Sequence, residues 1–244
     1  MNAKRLAGSD KHCNFAGMTT KWILAALTAL TGGTGIPAAA QHIDTLFANV
    51  PDSLCPILTR SNRLDLLDLF NSRMRAVTPN LYGGQTTLEA KSERALRIRQ
   101  TARTEWSMRL FGEGEQMRIM VCQTYLSPRA ESLINWYDTA WTSVTPPPGF
   151  NRPQPADFAP HNDSLRTAIA AWPAHYISVT STTGADSVRF ELAPASTSSE
   201  LDKQARQLLR PVVLRWDATQ ARFVNCSTQN QATPPARKAK NTKK

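Results

Sequence analysis

The chain has 244 residues, a formal net charge of +10 and four cysteines. Five of its basic residues lie in the last eight positions, whereas residues 41–236 hold 20 basic and 18 acidic side chains. Because residues 41–236 are close to neutral, their charge argues against a nucleic-acid-binding domain. Nucleic acid is therefore not an expected partner. The length is sufficient for one sizeable hydrophobic core.

The first forty residues are typical of a cleavable signal peptide. An apolar stretch of about ten residues begins at Trp22 after a lysine, and three alanines at 38–40 provide a cleavage site. Because a membrane-spanning helix needs roughly 20 apolar residues, we expect no transmembrane anchor after cleavage. We therefore expect residues 1–40 to be removed, with Met18 as a possible true start. The mature protein would begin at Gln41, in the periplasm or outside the cell.

Residues 41–226 are expected to form a single α+β domain, followed by a disordered basic tail over 227–244. The apolar spacing predicts a helix from Asn62 to Arg75, with Asn62 as the N-cap. Its apolar stripe is expected to contain Leu64, Leu67, Asn71 and Met74, with Leu66 and Phe70 beside it. Two further helices are predicted over 163–171 and 198–209.

From Thr86 onward the apolar pattern changes to a period of two, which is typical of strands with one solvated face. The stretch from Met117 to Leu126 is apolar on both alternating sets, so it is expected to be covered on both faces. Short breaks between strands favour antiparallel neighbours. The expected fold is N-terminal helices packed on a largely antiparallel β-sheet. The strands are predicted over 96–100, 105–110, 117–126, 132–141, 176–181, 187–192, 212–216 and 222–225.

The mature chain would keep Cys55, Cys122 and Cys226, without the spacing of zinc or haem ligands. An exported protein meets an oxidising compartment, in which disulfides form. Cys122 and Cys226 lie in or beside predicted strands, so a disulfide between them is the preferred prediction. Three free buried thiols are the alternative.

Two stretches of the chain resemble an exported Bacteroidota family classed as a domain of unknown function. With the strand order between them they span most of residues 41–141. The resemblance implies export, and it supplies no catalytic residues. The matching stretches are residues 50–58 with 62–74, and residues 122–134 with Trp136-Tyr137 and Trp141.

No catalytic, cofactor-binding or metal-ligating motif is predicted. Asp65 and Asp68 share a helix as a carboxylate pair would, but charge near a helix end explains them. The three histidines of the mature chain, His42, His161 and His175, are expected in surface loops. No nucleophile elbow is present. The glycine pairs at 83–84 and 112–114 are expected in hairpins, since neither pair follows a strand and opens a helix as a phosphate-binding loop does.

A cluster of arginines with nearby aromatic side chains is the candidate binding face. Such a face fits an acidic glycan or an acidic envelope protein. The alternative is an ordinary sheet surface, neutralised by glutamates such as Glu89 and Glu105. The arginines of this cluster are Arg94, Arg97, Arg99, Arg103 and Arg109. The binding face itself is expected to contain Arg97, Arg99, Trp106, Arg109 and Tyr125.

The sequence favours a non-enzymatic binding or structural module of the cell envelope. One alternative is a hydrolase whose site is assembled only in the fold. Another is a polyanion-binding protein tethered by its basic tail.

Overall fold

The structure is a computed structural model that describes residues 43–159, 162–172, 174–180, 183–194 and 207–227. The predicted signal peptide over 1–40 lies outside these residues. So do nearly all of the basic tail and most of the helix predicted over 198–209.

Two helices precede the first sheet. Helix α1 spans Ile43–Ala48 and helix α2 spans Arg60–Asn71. A capping box fixes the start of α2: the Thr59 hydroxyl accepts from the Asn62 backbone N–H, and the Asn62 side chain accepts from the Thr59 backbone N–H. Satisfying these otherwise unpaired N–H groups starts the helix at Arg60. Asn62 was therefore predicted wrongly as the N-cap; it is the third residue of the helix.

The buried face of α2 also differs from the prediction. Leu67 is buried as expected, but Leu64 and Met74 are 41% and 55% exposed. Leu66, which was expected beside the stripe, is fully buried, and so is Arg63, which was not expected in the core and is 2% exposed. An arginine can occupy this position because backbone carbonyls accept its hydrogen bonds.

Arg63 ties the segment between the two helices to α2. Its guanidinium donates to the Leu58 carbonyl at 2.7 Å, to the Val50 carbonyl at 2.8 Å and to the Asp52 carboxylate at 3.1 Å. A longer bond reaches the Ala48 carbonyl. One buried cation thus satisfies several carbonyls of an irregular segment.

The first sheet is a six-stranded antiparallel meander in the order β1-β2-β3-β4-β5-β6. The four strands predicted over residues 96–141 are confirmed here, although the last of them ends at Tyr137. The predicted strands included neither β1, whose three residues are too short for a periodic signal, nor β2, where only the change to a period of two was noted. The strands are β1 Val77–Pro79, β2 Gln85–Lys91, β3 Ala95–Thr101, β4 Thr104–Phe111, β5 Arg118–Tyr125 and β6 Glu131–Tyr137.

Strand β5 is covered on both faces, as its sequence predicts. Four consecutive residues from Ile119 to Cys122 are buried. Ile119 and Val121 pack in one core with α1 and α2, whereas Met120 packs in a second core with the other sheet. The first sheet therefore lies between the helices and the second sheet.

The second sheet is antiparallel, with four strands in the order β10-β9-β8-β7. A proline-rich segment from Pro146 to Pro155 and helix α3, Asp163–Ala170, connect the sheets. The class predicted from the sequence, α+β with largely antiparallel strands, is confirmed, although it comprises two sheets. The strands are β7 His175–Thr180, β8 Ser187–Pro194, β9 Val212–Asp217 and β10 Arg222–Asn225.

Aromatic side chains join the two sheets. The Phe223 ring of β10 lies 4.8 Å from the Phe111 ring of β4 and 6.0 Å from Trp136 of β6. Phe150 of the proline-rich segment packs edge to face on Trp136 at 4.8 Å. These four rings are called the aromatic cluster below. Such contacts contribute beyond the area that they bury.

Among the described residues, no helix has the length and apolar composition that a membrane crossing requires.

Replacing Leu67 with alanine should lower the free energy of unfolding by about 2 to 5 kcal/mol, since the buried side chain would leave a cavity. The matched control is Leu64→Ala on the exposed side of the same helix, which should change it by less than about 0.5 kcal/mol. Denaturant unfolding measures both. Equal values for the two variants would contradict the orientation of α2.

Candidate functional site

The structure divides the predicted binding face between the two faces of the first sheet. Arg97, Arg99 and Arg109 point to one face, because they pair with Ser107, Glu105 and Ala95 of the neighbouring strands. Trp106 pairs with Ile98, and it points to the opposite face. The predicted face therefore does not exist as one surface.

Trp106 and Tyr125 lie on the face that carries the helices. Trp106 is 1% exposed, and its indole N–H donates to the Leu54 carbonyl at 3.1 Å. Its ring packs 5.7 Å from that of Phe47. Tyr125 is 45% exposed at the end of β5. The prediction of an accessible Trp106 is wrong, because the tryptophan belongs to the core.

Arg97 and Arg99 are ion-paired along the sheet surface. Glu89 lies 3.2 Å from Arg97 Nε and 3.1 Å from Arg99 Nε, and Glu105 lies 2.5 Å from Arg99 Nη2. The geometry corresponds to the alternative interpretation of a salt-bridged surface. Pairs this exposed contribute about 0 to 1 kcal/mol each.

Arg109 is buried instead of solvated. Its side chain is 2% exposed, with Nη2 4.0 Å from the Asp186 carboxylate and the guanidinium 5.7 Å from the centre of the Phe111 ring. Burial lowers the pKa of Arg109, while the negative charge of Asp186 opposes that effect. Arginine nevertheless keeps its proton in proteins. A buried positive charge therefore lies at the junction of the two sheets.

An open cleft of about 430 Å³ lies at this junction. The first sheet supplies the turn before β3 and the turn between β4 and β5. The second sheet supplies the turn before β8 and the turn between β9 and β10. The lining residues are Arg94, Leu110, Gly112, Glu113, Gln116, Asp186, Trp216, Ala218 and Ala221.

The wall from the first sheet is shaped by backbone contacts of Arg94 and Gly112. Arg94 Nη2 donates to the Gly112 carbonyl at 2.6 Å and more weakly to that of Leu110. Gly112 has φ +75°, and a Cβ there would lie 2.8 Å from the Gln116 carbonyl. Only glycine fits both constraints, so this turn places Gln116 at the rim.

The wall from the second sheet is built around Trp216. Its backbone N–H donates to the Asp186 carbonyl at 2.8 Å. Its ring packs 5.6 Å from Phe111 and 5.2 Å from Phe223, so the aromatic cluster supports it. The half-buried side chain therefore presents a supported aromatic surface to the cleft.

Sequence reasoning placed Arg94 and Arg109 in one arginine cluster, but it missed Asp186 and Trp216 as their neighbours. One local signal was available: Trp216 precedes Asp217, whose carboxylate accepts from the Thr219 and Gln220 N–H groups and closes the turn. Aspartate before a tight turn predicts that hairpin. This signal does not indicate which turns of the first sheet lie opposite the hairpin.

All three described cysteines are free, so the predicted disulfide between Cys122 and Cys226 is not formed. Cys122 is buried in β5, where its thiol lies 3.7 Å from the Thr124 hydroxyl, and Cys226 is half-buried after β10. Burial raises the pKa of Cys122, and it raises that of Cys55 to about 11.

The remaining candidates that lie in the described residues are not part of the cleft. Asp65 and Asp68 are exposed on α2, and His175 is exposed at the start of β7. His42 and His161 lie outside the described residues. Within the described ranges, no three His, Cys, Asp or Glu side chains are grouped as metal ligands would be.

Comparisons with known proteins identify relatives without an assigned activity. Residues 36–222 match a family described as "Protein of unknown function (DUF3256)". The fold is similar to a solved structure described as "Structure of a domain of an uncharacterized protein from Porphyromonas gingivalis W83", with 25% sequence identity and a TM-score of 0.61. That match covers 75% of this chain and 96% of the other. No curated protein matches the chain.

A chain that begins at Gln41 should contain three titratable thiols in denaturant without reductant. In the native state at about pH 8, an aqueous thiol reagent should reach Cys226 first, since the other two thiols are buried and remain protonated. The variant Cys226→Ser should abolish the fast reaction. A single thiol in denaturant would show that the disulfide forms after all.

Proposed function

Because the chain belongs to the DUF3256 family of proteins of unknown function, we propose its function from the cleft: it is an exported binding module of the cell envelope that holds an acidic glycan. The single observation that carries this proposal is the supported Trp216 surface beside Arg94, with Arg109 buried behind them.

The size of the cleft and its mixture of surfaces support a saccharide. Ligand sites commonly have volumes of about 300 to 1,000 Å³, and they combine apolar surface with a few polar groups. The Trp216 ring can contact the C–H groups of a sugar ring. Gln116, Glu113 and Asp186 at the rim can form hydrogen bonds with its hydroxyl groups.

The arginines support an acidic group on that saccharide. Both hydrogen bonds described for Arg94 involve Nη2, whereas a guanidinium has five N–H donors in a fork that suits a carboxylate. Arg109 adds a second positive charge from below the surface. Glu113 and Asp186 limit the net charge of the cleft, so it should favour one acidic group over a dense polyanion.

Export to the cell envelope is part of the same proposal. It is supported by the apolar stretch from Trp22 and the alanines at 38–40. N-terminal sequencing of exported material checks it, with Gln41 as the expected first residue. Export would bring the protein into a compartment where it can meet an acidic glycan.

The proposal predicts that trigalacturonic acid binds more tightly than the neutral trisaccharide maltotriose, as measured by titration calorimetry. Replacing Arg94 with glutamine should weaken binding of the acidic probe by about tenfold, because one charge-assisted bidentate contact is lost. Trp216→Leu should weaken both probes, while Trp216→Phe should retain part of the affinity.

The matched control is Arg166→Gln. Arg166 is 50% exposed on α3 and is paired only weakly, at 3.7 Å, with Asp163. The Arg166→Gln variant should leave the affinity for both trisaccharides unchanged. Failure of both trisaccharides to bind, or equal losses in the Arg94 and Arg166 variants, would contradict the cleft as the site. Release of shorter sugars during the titration would favour the hydrolase alternative.

A further inference from the structure

The turns at the end of the first sheet remote from the cleft form a second surface. Since the six strands follow one another in an antiparallel meander, alternate turns lie at the same end. Residues 80–84, 102–103 and 126–130 therefore share one end, called the distal end below. The turns that line the cleft are at the other end.

Apolar side chains are concentrated near the distal end. Seven large hydrophobic side chains are exposed in the described part of the chain. Four of them lie on or near these turns. They are Leu81 at 60%, Tyr82 at 73%, Tyr125 at 45% and Leu133 at 49% exposure.

The turn that carries Leu81 and Tyr82 is held rigidly by Asn80. The Asn80 side-chain oxygen accepts from the Tyr82 and Gly84 N–H groups at 3.1 and 3.0 Å. Its side-chain nitrogen donates to the Thr86 hydroxyl and the Gln100 carbonyl within the sheet. A buried amide thus fixes a turn whose two tip residues project into solvent. Such preorganisation reduces the entropy lost on binding.

Positive charge lies beside these side chains. Arg103 is exposed in the turn between β3 and β4, and Arg60 begins α2 close to the tip, since the Leu81 N–H donates to the Ile57 carbonyl at 3.1 Å. Two carboxylates, Asp52 and Glu131, lie at the same end, and Asp52 is paired with Arg63. The distal end is therefore apolar at its tip and carries two exposed arginines beside it, with Asp52 and Glu131 as the carboxylates at the same end.

We propose that the distal end docks on an anionic lipid bilayer, with Leu81 and Tyr82 entering the headgroup region. Tyrosine and leucine beside arginine suit the interface, where tyrosine keeps its hydroxyl hydrated and arginine contacts lipid phosphates. The exposed apolar side chains project from a turn tip and do not line a groove, which suits insertion into lipid. A contact of this size gives reversible attachment.

This docking leaves the cleft directed away from the membrane. Strand β4 has eight residues, so roughly 26 Å of extended chain separates the two ends. The proposal is independent of the glycan site, because the two surfaces share no residues.

The test is co-sedimentation of the full chain that begins at Gln41 with vesicles of phosphatidylcholine and phosphatidylglycerol, across a series of salt concentrations. The double variant Leu81→Ser, Tyr82→Ser should lower the bound-to-free ratio by about tenfold or more, because both inserting side chains are removed. Its melting temperature should match that of the wild type, since Asn80 and the buried strands are unchanged. Vesicles of phosphatidylcholine alone should retain less of the wild type.

Met74→Ser is the matched control. Met74 is 55% exposed, but it precedes β1 at the opposite end of the sheet. This variant should bind as the wild type does. A second variant replaces the five basic residues of the last eight with glutamine, and it should keep most of the binding.

Three outcomes would overturn the proposal. One is unchanged binding of the Leu81, Tyr82 variant, and another is an equal loss in the Met74 variant. The third is loss of all binding when only the basic tail is neutralised, which would assign the attraction to the tail.

Discussion

The structure depends on the burial of strand β5 on both faces, between the partly buried strands β4 and β6. One face packs against α1, α2 and the segment fixed by Arg63, and the other packs against the second sheet through the aromatic cluster. A strand buried on both faces has no solvated set of side chains, so each polar group needs a partner. Ser132 shows how this is met: its hydroxyl is 2.8 Å from that of Thr124 and accepts from the Val179 N–H of β7 at 2.8 Å.

This arrangement limits where the protein can bind a ligand. Both faces of β5 are covered, and the two candidate binding surfaces lie at the ends of the sheets. At one end, turns from both sheets surround Trp216 and Arg94; at the other, Asn80 holds Leu81 and Tyr82 in solvent. The same packing holds both ends at a fixed separation. A module that binds a glycan at one end and a lipid surface at the other is consistent with this geometry.

The strands and the covered faces of β5 were predictable because alternation is local. Alternation alone also separates Trp106 from Arg109, so the error of grouping them in one face could have been avoided from the sequence. Two features could not be predicted. The burial of Arg63 depends on carbonyls from residues 48–58 that no periodic pattern reveals. The cleft joins Arg94 to Asp186 and Trp216, which are far apart in sequence and meet only because the second sheet packs on the first.

The central claim is that the two sheets form one cooperative unit joined by the aromatic cluster. Native-state hydrogen exchange of Phe223→Ala tests it most directly, because Phe223 is in β10 and contacts Phe111 and Trp136 of the first sheet. The loss of this buried ring should cost about 3 to 5 kcal/mol. If the sheets unfold together, the most protected amides of β5 and β8 should lose the same free energy of exchange. Loss of protection in β8 with unchanged protection in β5 would show that the second sheet opens by itself, and would contradict the account.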